Sequence, residues 1–250
     1  MKENRTGVAR ALSKMGYCSR TQATQLVRAG KVALNGRIIR DPESPVRLEK
    51  DSIQVDGAPI SEPPKIYLAM NKPRGLVTTT SDERGRATVY EILNESDLPS
   101  EEARSWVAAV GRLDRASEGL LLFTNDSEWA ARITDPRSHL PKTYHVQIGC
   151  VAAPQLLDQI RRGVETGGEF LSAQAVTILR HGSKTSWLEI TLDEGKNRHI
   201  RRLLAAFGVE VLRLVRVAIG PLELGDLRKG TSRPLTLEEK EIIDRALSES

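Results

Sequence analysis

The feature that most limits how this chain can fold is a series of strand-length apolar or alternating segments with few helices between them. Beyond the first sixty or so residues they fall at 66–70, 106–110, 120–124, 143–149, 173–179, 187–192 and 211–217. Helix-like patterns are fewer, at 127–134, 154–162, 196–207 and 236–247. Parallel neighbours need a crossover of a dozen or more residues, usually a helix, so strands in direct succession pair antiparallel. The expected fold is therefore α+β with a mixed, largely antiparallel sheet, and not a doubly wound one.

The start of the chain reads differently. Val8, Leu12 and Met15 fall at helical spacing, Gly16 stops that helix, Ser19 caps a second one, and Gly30 ends it. Residues 31–36 and 52–57 each read as a short strand closed by a turn, Asn35-Gly36 and Asp56-Gly57. Ser61-Glu62-Pro63-Pro64-Lys65 reads as a linker. The division expected is a small α/β domain over 1–62 and a larger domain over 63–250.

At 39% hydrophobic content the chain can bury a sizeable core. Its longest apolar stretches fall far short of the roughly 20 residues a membrane helix needs. The opening MKENRTG has no apolar core of a signal peptide, so a cytoplasmic protein is expected. Cys18 and Cys150 stand far apart, and the histidines show no metal-ligand spacing. No disulfide or metal site is expected.

Charge is concentrated. Residues 1–40 hold nine Lys and Arg against the single acid Glu3, whereas the whole chain carries only +4. Cations at that density on short helices suit phosphate contacts, although a solvated helical face would look the same. Arg5, Arg20 at the start of the second helix, and Lys31 just past its end are the candidate contacts. Such a surface reads RNA by backbone and shape, not by base edges.

Residues 110–126, VGRLDRASEGLLLFTND, place Asp114 between Arg112 and Arg115 on the lip of an apolar run. Surface ion pairs worth roughly 0–1 kcal/mol would account for the charges without function. Gly111 and Gly119, however, bracket the turn and permit close backbone approach, and loops on rigid strands are where reactive groups sit. A nearby Arg keeps an Asp ionised and ready to act as nucleophile or base.

Two further groups carry chemistry. Ile200, Leu203, Leu204 and Phe207 form an apolar helical face, with Arg198, Arg201 and Arg202 on a neighbouring one. From Lys196 to Arg216 there are six Lys and Arg against Glu210, a focus suited to a polyanion or a carboxylate partner. Lys142-Thr143-Tyr144 opens a strand, and a strand-end Tyr either packs or stacks on an extruded base.

Residues 10–39, RALSKMGYCSRTQATQLVRAGKVALNGRII, resemble the small RNA-binding domain named after small-subunit ribosomal protein S4. The stretches NKPRGLVTTTSDERGRATV, VGRLDRASEGLLLFTND, PKTYHVQI and EGKNRHIRRLLAAFGVEVLRLVRVAIGPLELGDLRKGTSRPLT resemble one group of bacterial ribosomal pseudouridine synthases. That group comprises type A, which acts on small-subunit RNA, and types B, E and F, which act on large-subunit RNA. Type B is the nearest. The resemblance implies isomerisation of a uridine to pseudouridine in large-subunit ribosomal RNA, without cofactor and with ribosomal RNA as partner.

By that resemblance Asp114 is the catalytic carboxylate acting at the ribose, Tyr144 stacks on the target base, and Arg201 pairs with Asp114, with Arg198 as the alternative. Arg112 matches a position whose side chain replaces the extruded base. Lys142, Lys196, Arg198 and Arg202 join Arg5, Arg20 and Lys31 as expected RNA contacts. Leu113 and Leu203 would form a dry wall beside Asp114, His199 would touch only RNA, and 116–118 is a variable stretch. A small-subunit target, a non-catalytic ribosome-assembly factor and a glycosidase using Asp114 with Asp126 are the competing readings.

Overall fold

The computed structural model describes residues 5–48, 50–60, 63–80, 82, 84–95 and 106–249. Residues 61 and 62 of the expected linker lie outside them. The chain forms two compact units, the first built on the N-terminal elements and taking in Phe123–Ala130, the second holding most of the rest.

In the first unit, helices Val8–Lys14 and Arg20–Arg28 follow the expected punctuation. Ser19 and Gln22 form a reciprocal capping box at the second helix, which supplies partners to otherwise orphaned N–H groups. Four strands pair in the order Arg37–Ile39, Val32–Leu34, Ile53–Val55, Ala58–Pro59. Both hairpins turn through residues at positive φ, Asn35 (51°) with Gly36 (78°) and Asp56 (49°) with Gly57 (81°). This is the backbone that favours Asn-Gly and Asp-Gly in two-residue turns. Val8, Leu12, Ala23, Val27, Val32 and Val55 belong to one buried cluster that joins helices to sheet.

Within the same unit Asn125 ties down the chain that enters the larger sheet. Its side chain accepts from the Ile66 N–H at 2.8 Å and donates to the Pro64 carbonyl at 2.8 Å. The Tyr67 hydroxyl bonds Asp126 at 3.0 Å, and its ring meets Trp129 edge-on. Asp126 is thereby a structural residue, which removes the second carboxylate a glycosidase would need.

The second unit is built on a nine-stranded sheet whose main path runs Ala175–His181, Ser186–Leu192, Lys142–Ile148, Val211–Ile219, Glu118–Thr124, Tyr67–Lys72, Ser232–Pro234. The pairings along Ala175–His181 to Val211–Ile219 are antiparallel, as is Tyr67–Lys72 with Ser232–Pro234. Val211–Ile219 runs parallel to Glu118–Thr124, so the sheet is mixed and mainly antiparallel, as the sequence pattern predicts. One face is covered by helices Pro154–Arg162 and His199–Ala206, whose Leu157, Ile160, Ile200, Leu203 and Leu204 pack on Val146, Ile148, Leu188, Ile190 and Leu214. Full burial of such a side chain contributes roughly 1.5–3 kcal/mol each.

Helices Ser127–Thr134 and Pro154–Arg162 fall where their patterns place them. The helix expected over 196–207 is shorter, His199–Ala206, because Arg198 takes a left-handed conformation (φ 48°) that an α-helix cannot include. Helix Val89–Glu95 and the hairpin Val164–Thr166 with Glu169–Leu171 have no counterpart in the sequence reading.

Candidate active site

The loop carrying Asp114 is shaped by the glycines around it. Gly111 and Gly119 have φ of 73° and 102°. At Gly119 a Cβ would lie 2.2 Å from the main-chain oxygen of Arg216, so only glycine allows the close parallel contact of Gly119 with Arg216. That contact brings the end of the Asp114 loop against the centre of the Val211–Ile219 strand.

The loop is held from beneath by Lys72, which the sequence reading passed over inside the NKPRG stretch. Lys72 is fully buried at the end of strand Tyr67–Lys72. Its Nζ donates to the main-chain oxygens of Pro73 (3.1 Å), Asp114 (3.2 Å) and Ser117 (2.9 Å). Three carbonyls thus satisfy the three donors of one ammonium. Burial pushes its pKa down to about 8, against the pull of Asp114 and Glu118. A lysine two residues past the apolar run Leu68-Ala69-Met70 of a strand was the available signal.

The half-buried Asp114 carboxylate makes no hydrogen bond or ion pair among the described residues. It lines a cavity of about 410 Å³ together with Arg112, Lys142, Tyr144, Lys196 and Arg198. The volume lies within the roughly 300–1,000 Å³ of small-molecule sites. Most residues singled out in the larger domain therefore converge on one space, although they come from segments spread over 112–198.

Arg201 departs from the expected pairing. It makes no ion pair with Asp114; Nη2 donates to the Ala116 carbonyl at 3.1 Å and Nη1 to that of Val211 at 3.3 Å. Burial and Arg198 lower its pKa while Asp114 opposes them, so the two charges sense each other without contact. The guanidinium grips the main chain two residues past Asp114. Arg198 is not on the helix with it, but precedes the helix and lines the cavity.

Other expected RNA contacts are held by protein partners. Arg202 bonds Glu169 and the Thr166 carbonyl (2.9 Å), both on the short hairpin. Lys196 bonds Glu194 at 2.6 Å and the Phe170 carbonyl at 2.8 Å. In the first unit the exposed Arg20 and Lys31 make long ion pairs, 3.7 Å to Glu43 and 3.6 Å to Asp56, and Arg5 is exposed.

Two smaller expectations fail. His199 is 4% exposed, donates from Nε2 to the Ser172 carbonyl at 2.9 Å and has its pKa lowered chiefly by burial, so it does not meet RNA from the surface. Leu203 packs in the helix-covered core and, unlike Leu113, does not line the cavity. Within the stretch expected to vary, Glu118 is 3% exposed and bonds Arg213 (2.8 Å) and Lys229.

The mixed sheet thus carries a cavity lined by an unpaired carboxylate, an aromatic side chain and four cations, Arg112, Lys142, Lys196 and Arg198. A family model for RNA pseudouridylate synthases matches residues 66–206, and one for the S4 domain matches 8–63. The chain belongs to the RNA pseudouridylate synthase family. An uncharacterized RNA pseudouridine synthase of Aquifex aeolicus (strain VF5) is 38% identical over 229 residues, covering 91% of this chain and 89% of the relative. The ribosomal large subunit pseudouridine synthase B of Bacillus subtilis (strain 168) is 31% identical over 242 residues, 96% of each chain. A crystal structure of a pseudouridylate synthase superposes with a TM-score of 0.65 at 28% identity, covering 95% of this chain and 99% of that one.

Proposed function

We propose that the protein isomerises a specific uridine of large-subunit ribosomal RNA to pseudouridine, with Asp114 as the catalytic carboxylate. The observation that carries this reading is the unpartnered Asp114 carboxylate, in one cavity with Tyr144 and several cations. The large-subunit target rests on the likeness to the Bacillus subtilis relative over 96% of each chain. Residues 1–62 act as the S4-type RNA-binding domain and 63–250 as the catalytic domain, and the work is done in the cytoplasm, where ribosomes are made.

Arg5, Arg20 and Lys31 grip RNA phosphates, and the target nucleotide flips into the cavity at a cost of a few kcal/mol. Arg112, exposed where it lines the cavity, fills the gap left in the stack. Asp114 acts at the ribose, by attack on C1′ or by removing a sugar proton, and the C1′–N1 bond breaks. The uracil, stacked on Tyr144, turns so that C5 bonds C1′ and then loses its proton, with Tyr144 assisting. Lys72 and Arg201 hold the loop that aims the carboxylate, and no cofactor takes part.

The test is a map of pseudouridines in ribosomal RNA from cells lacking the protein and from cells carrying Asp114→Asn. One large-subunit site is expected to disappear in both. Loss of a small-subunit site would move the substrate, no loss in either strain would leave a non-catalytic RNA-binding factor, and loss in the deletion alone would remove Asp114 from its role.

A further inference from the structure

Three buried polar atoms on residues lining the cavity have no hydrogen-bond partner among the described residues: Ser117 Oγ, His199 Nδ1 and Arg216 Nη2. Arg216 is the one with a full charge to satisfy. It is 5% exposed, and its side chain makes a single hydrogen bond, from Nε to the Leu120 carbonyl at 2.7 Å. A guanidinium has five N–H donors, so both Nη groups are left without a protein acceptor. A buried cation in that condition is costly unless something else completes it.

The surroundings narrow what that something is. Lys142, on the adjacent strand, lines the same cavity, and burial with the help of Arg216 pushes its pKa down to about 8. Two cations are thus kept together beside the Asp114 loop, with Asp193 pulling on Lys142 in the opposite sense. Phosphates of a bound RNA stay along its hydrated backbone, within reach of exposed cations such as Arg112. A flipped base is the part that enters deeply enough to meet a side chain as buried as Arg216. Uracil offers two acceptors there, O2 and O4. When C1′–N1 breaks, the bonding pair leaves with the ring, and its charge spreads over N1, O2 and O4 until C5 bonds C1′.

We propose that Arg216 donates hydrogen bonds from its Nη groups to a carbonyl oxygen, O2 or O4, of the uracil held in the cavity, with Lys142 as the flanking cation. Arg216 thereby both recognises the base and stabilises the negative charge it carries in the reaction, as a preorganised donor does at a developing oxyanion. This inference rests on the pseudouridine synthase reading of the site. The close contact of Gly119 with the Arg216 main chain fixes the strand that delivers the guanidinium.

Ribosomal RNA transcripts carrying tritium at C5 of every uridine report the reaction without knowledge of the target, because C5 loses its hydrogen. The full-length wild type, Arg216→Lys and Arg216→Gln are compared by single-turnover tritium release and by filter binding. Arg216→Gln is expected to react on the order of 100-fold more slowly, with RNA affinity falling much less than the rate and part of the rate recovered in Arg216→Lys. Because Arg216 also bonds Leu120, a second arm leaves the protein intact and uses transcripts made with 2-thiouridine or 4-thiouridine. One of the two slows the wild type about tenfold by weakening an acceptor, which identifies the oxygen, and the same transcript slows Arg216→Lys less. A wild-type rate in Arg216→Gln, or a wild type indifferent to both thio-RNAs, overturns the inference while the enzyme reading stands. A wild type that releases no tritium from any transcript overturns the enzyme reading itself, and this inference with it.

Discussion

Lys72 and Asp114 are joined through the main chain and not through their charges: the buried ammonium donates to the Asp114 carbonyl oxygen at 3.2 Å, and the carboxylate is left unbonded. A direct ion pair would have tied up the carboxylate proposed to react. The arrangement holds the loop and leaves the carboxylate available. Lys72→Met leaves three carbonyls short of a donor and is expected to cost about 1–3 kcal/mol of stability. The rate should fall with little change in RNA affinity, as urea denaturation, single-turnover kinetics and filter binding will show.

The same lysine predicts a pH effect. Its folded pKa of about 8 lies below the ordinary 10.5. Below about pH 8 it is charged in both states and its burial costs stability. Between about 8 and 10.5 the unfolded chain still holds a proton that the folded chain has lost, so unfolding free energy rises with pH. Denaturation of wild type and Lys72→Met across that window should show a gap that widens as pH increases.

Glu118 should give a pH dependence of the same sign, in a more acidic window. Burial alone would raise its pKa, but Arg213 and Lys229 bring it below the usual carboxylate value. A depressed carboxylate contributes stability above its unfolded pKa that is lost as pH falls through the folded one. Glu118→Gln is expected to cost about 1–3 kcal/mol near neutrality. Thermal melts from pH 7 downward should show the wild-type advantage shrinking in acid.

Gly119→Ala tests the approach of the Asp114 loop to its neighbouring strand. The added Cβ would meet main-chain oxygen at 2.2 Å with φ at 102°, so backbone must shift and no rotamer can relieve it. A loss of about 3 kcal/mol or more is expected, together with lost activity. Gly36→Ala, where φ is 78° but nothing lies within 4 Å, should cost less in the same denaturation assay.

In the N-terminal unit, Arg20→Gln and Lys31→Gln are expected to leave the melting temperature unchanged, because the ion pairs of these residues are long and exposed. Each should weaken RNA binding across unrelated sequences and lower the salt-dependence slope by about 1. Filter binding over a range of salt concentrations measures both.

Where a local signal exists, the sequence was enough. Asn35-Gly36 and Asp56-Gly57 need positive φ and so announce their hairpins. The pattern of Ser127–Thr134 and the proline that opens Pro154–Arg162 locate those helices. The Asp114 loop, its glycines and Tyr144 were also legible, through motif and resemblance. Arg198 was placed one turn into a helix it only precedes, because periodicity carries no sign of a left-handed residue. The hairpin of Val164–Thr166 and Glu169–Leu171 is too short for a repeating pattern to stand out.

What the amino-acid order determined by itself was the class of sheet, the helical and turn positions, and the small set of residues able to do chemistry. What only the tertiary structure decided was which partner each of them meets. Arg201 reaches the Ala116 carbonyl across 85 positions, Lys72 reaches Asp114 across 42, and Arg213 reaches Glu118 across 95. Hydrogen bonds and ion pairs form at about 3 Å, and register and strand order set those distances. A cation list read along the chain cannot say which arginine spends its whole fork on the protein and which, like Arg216, is kept buried with its Nη groups free.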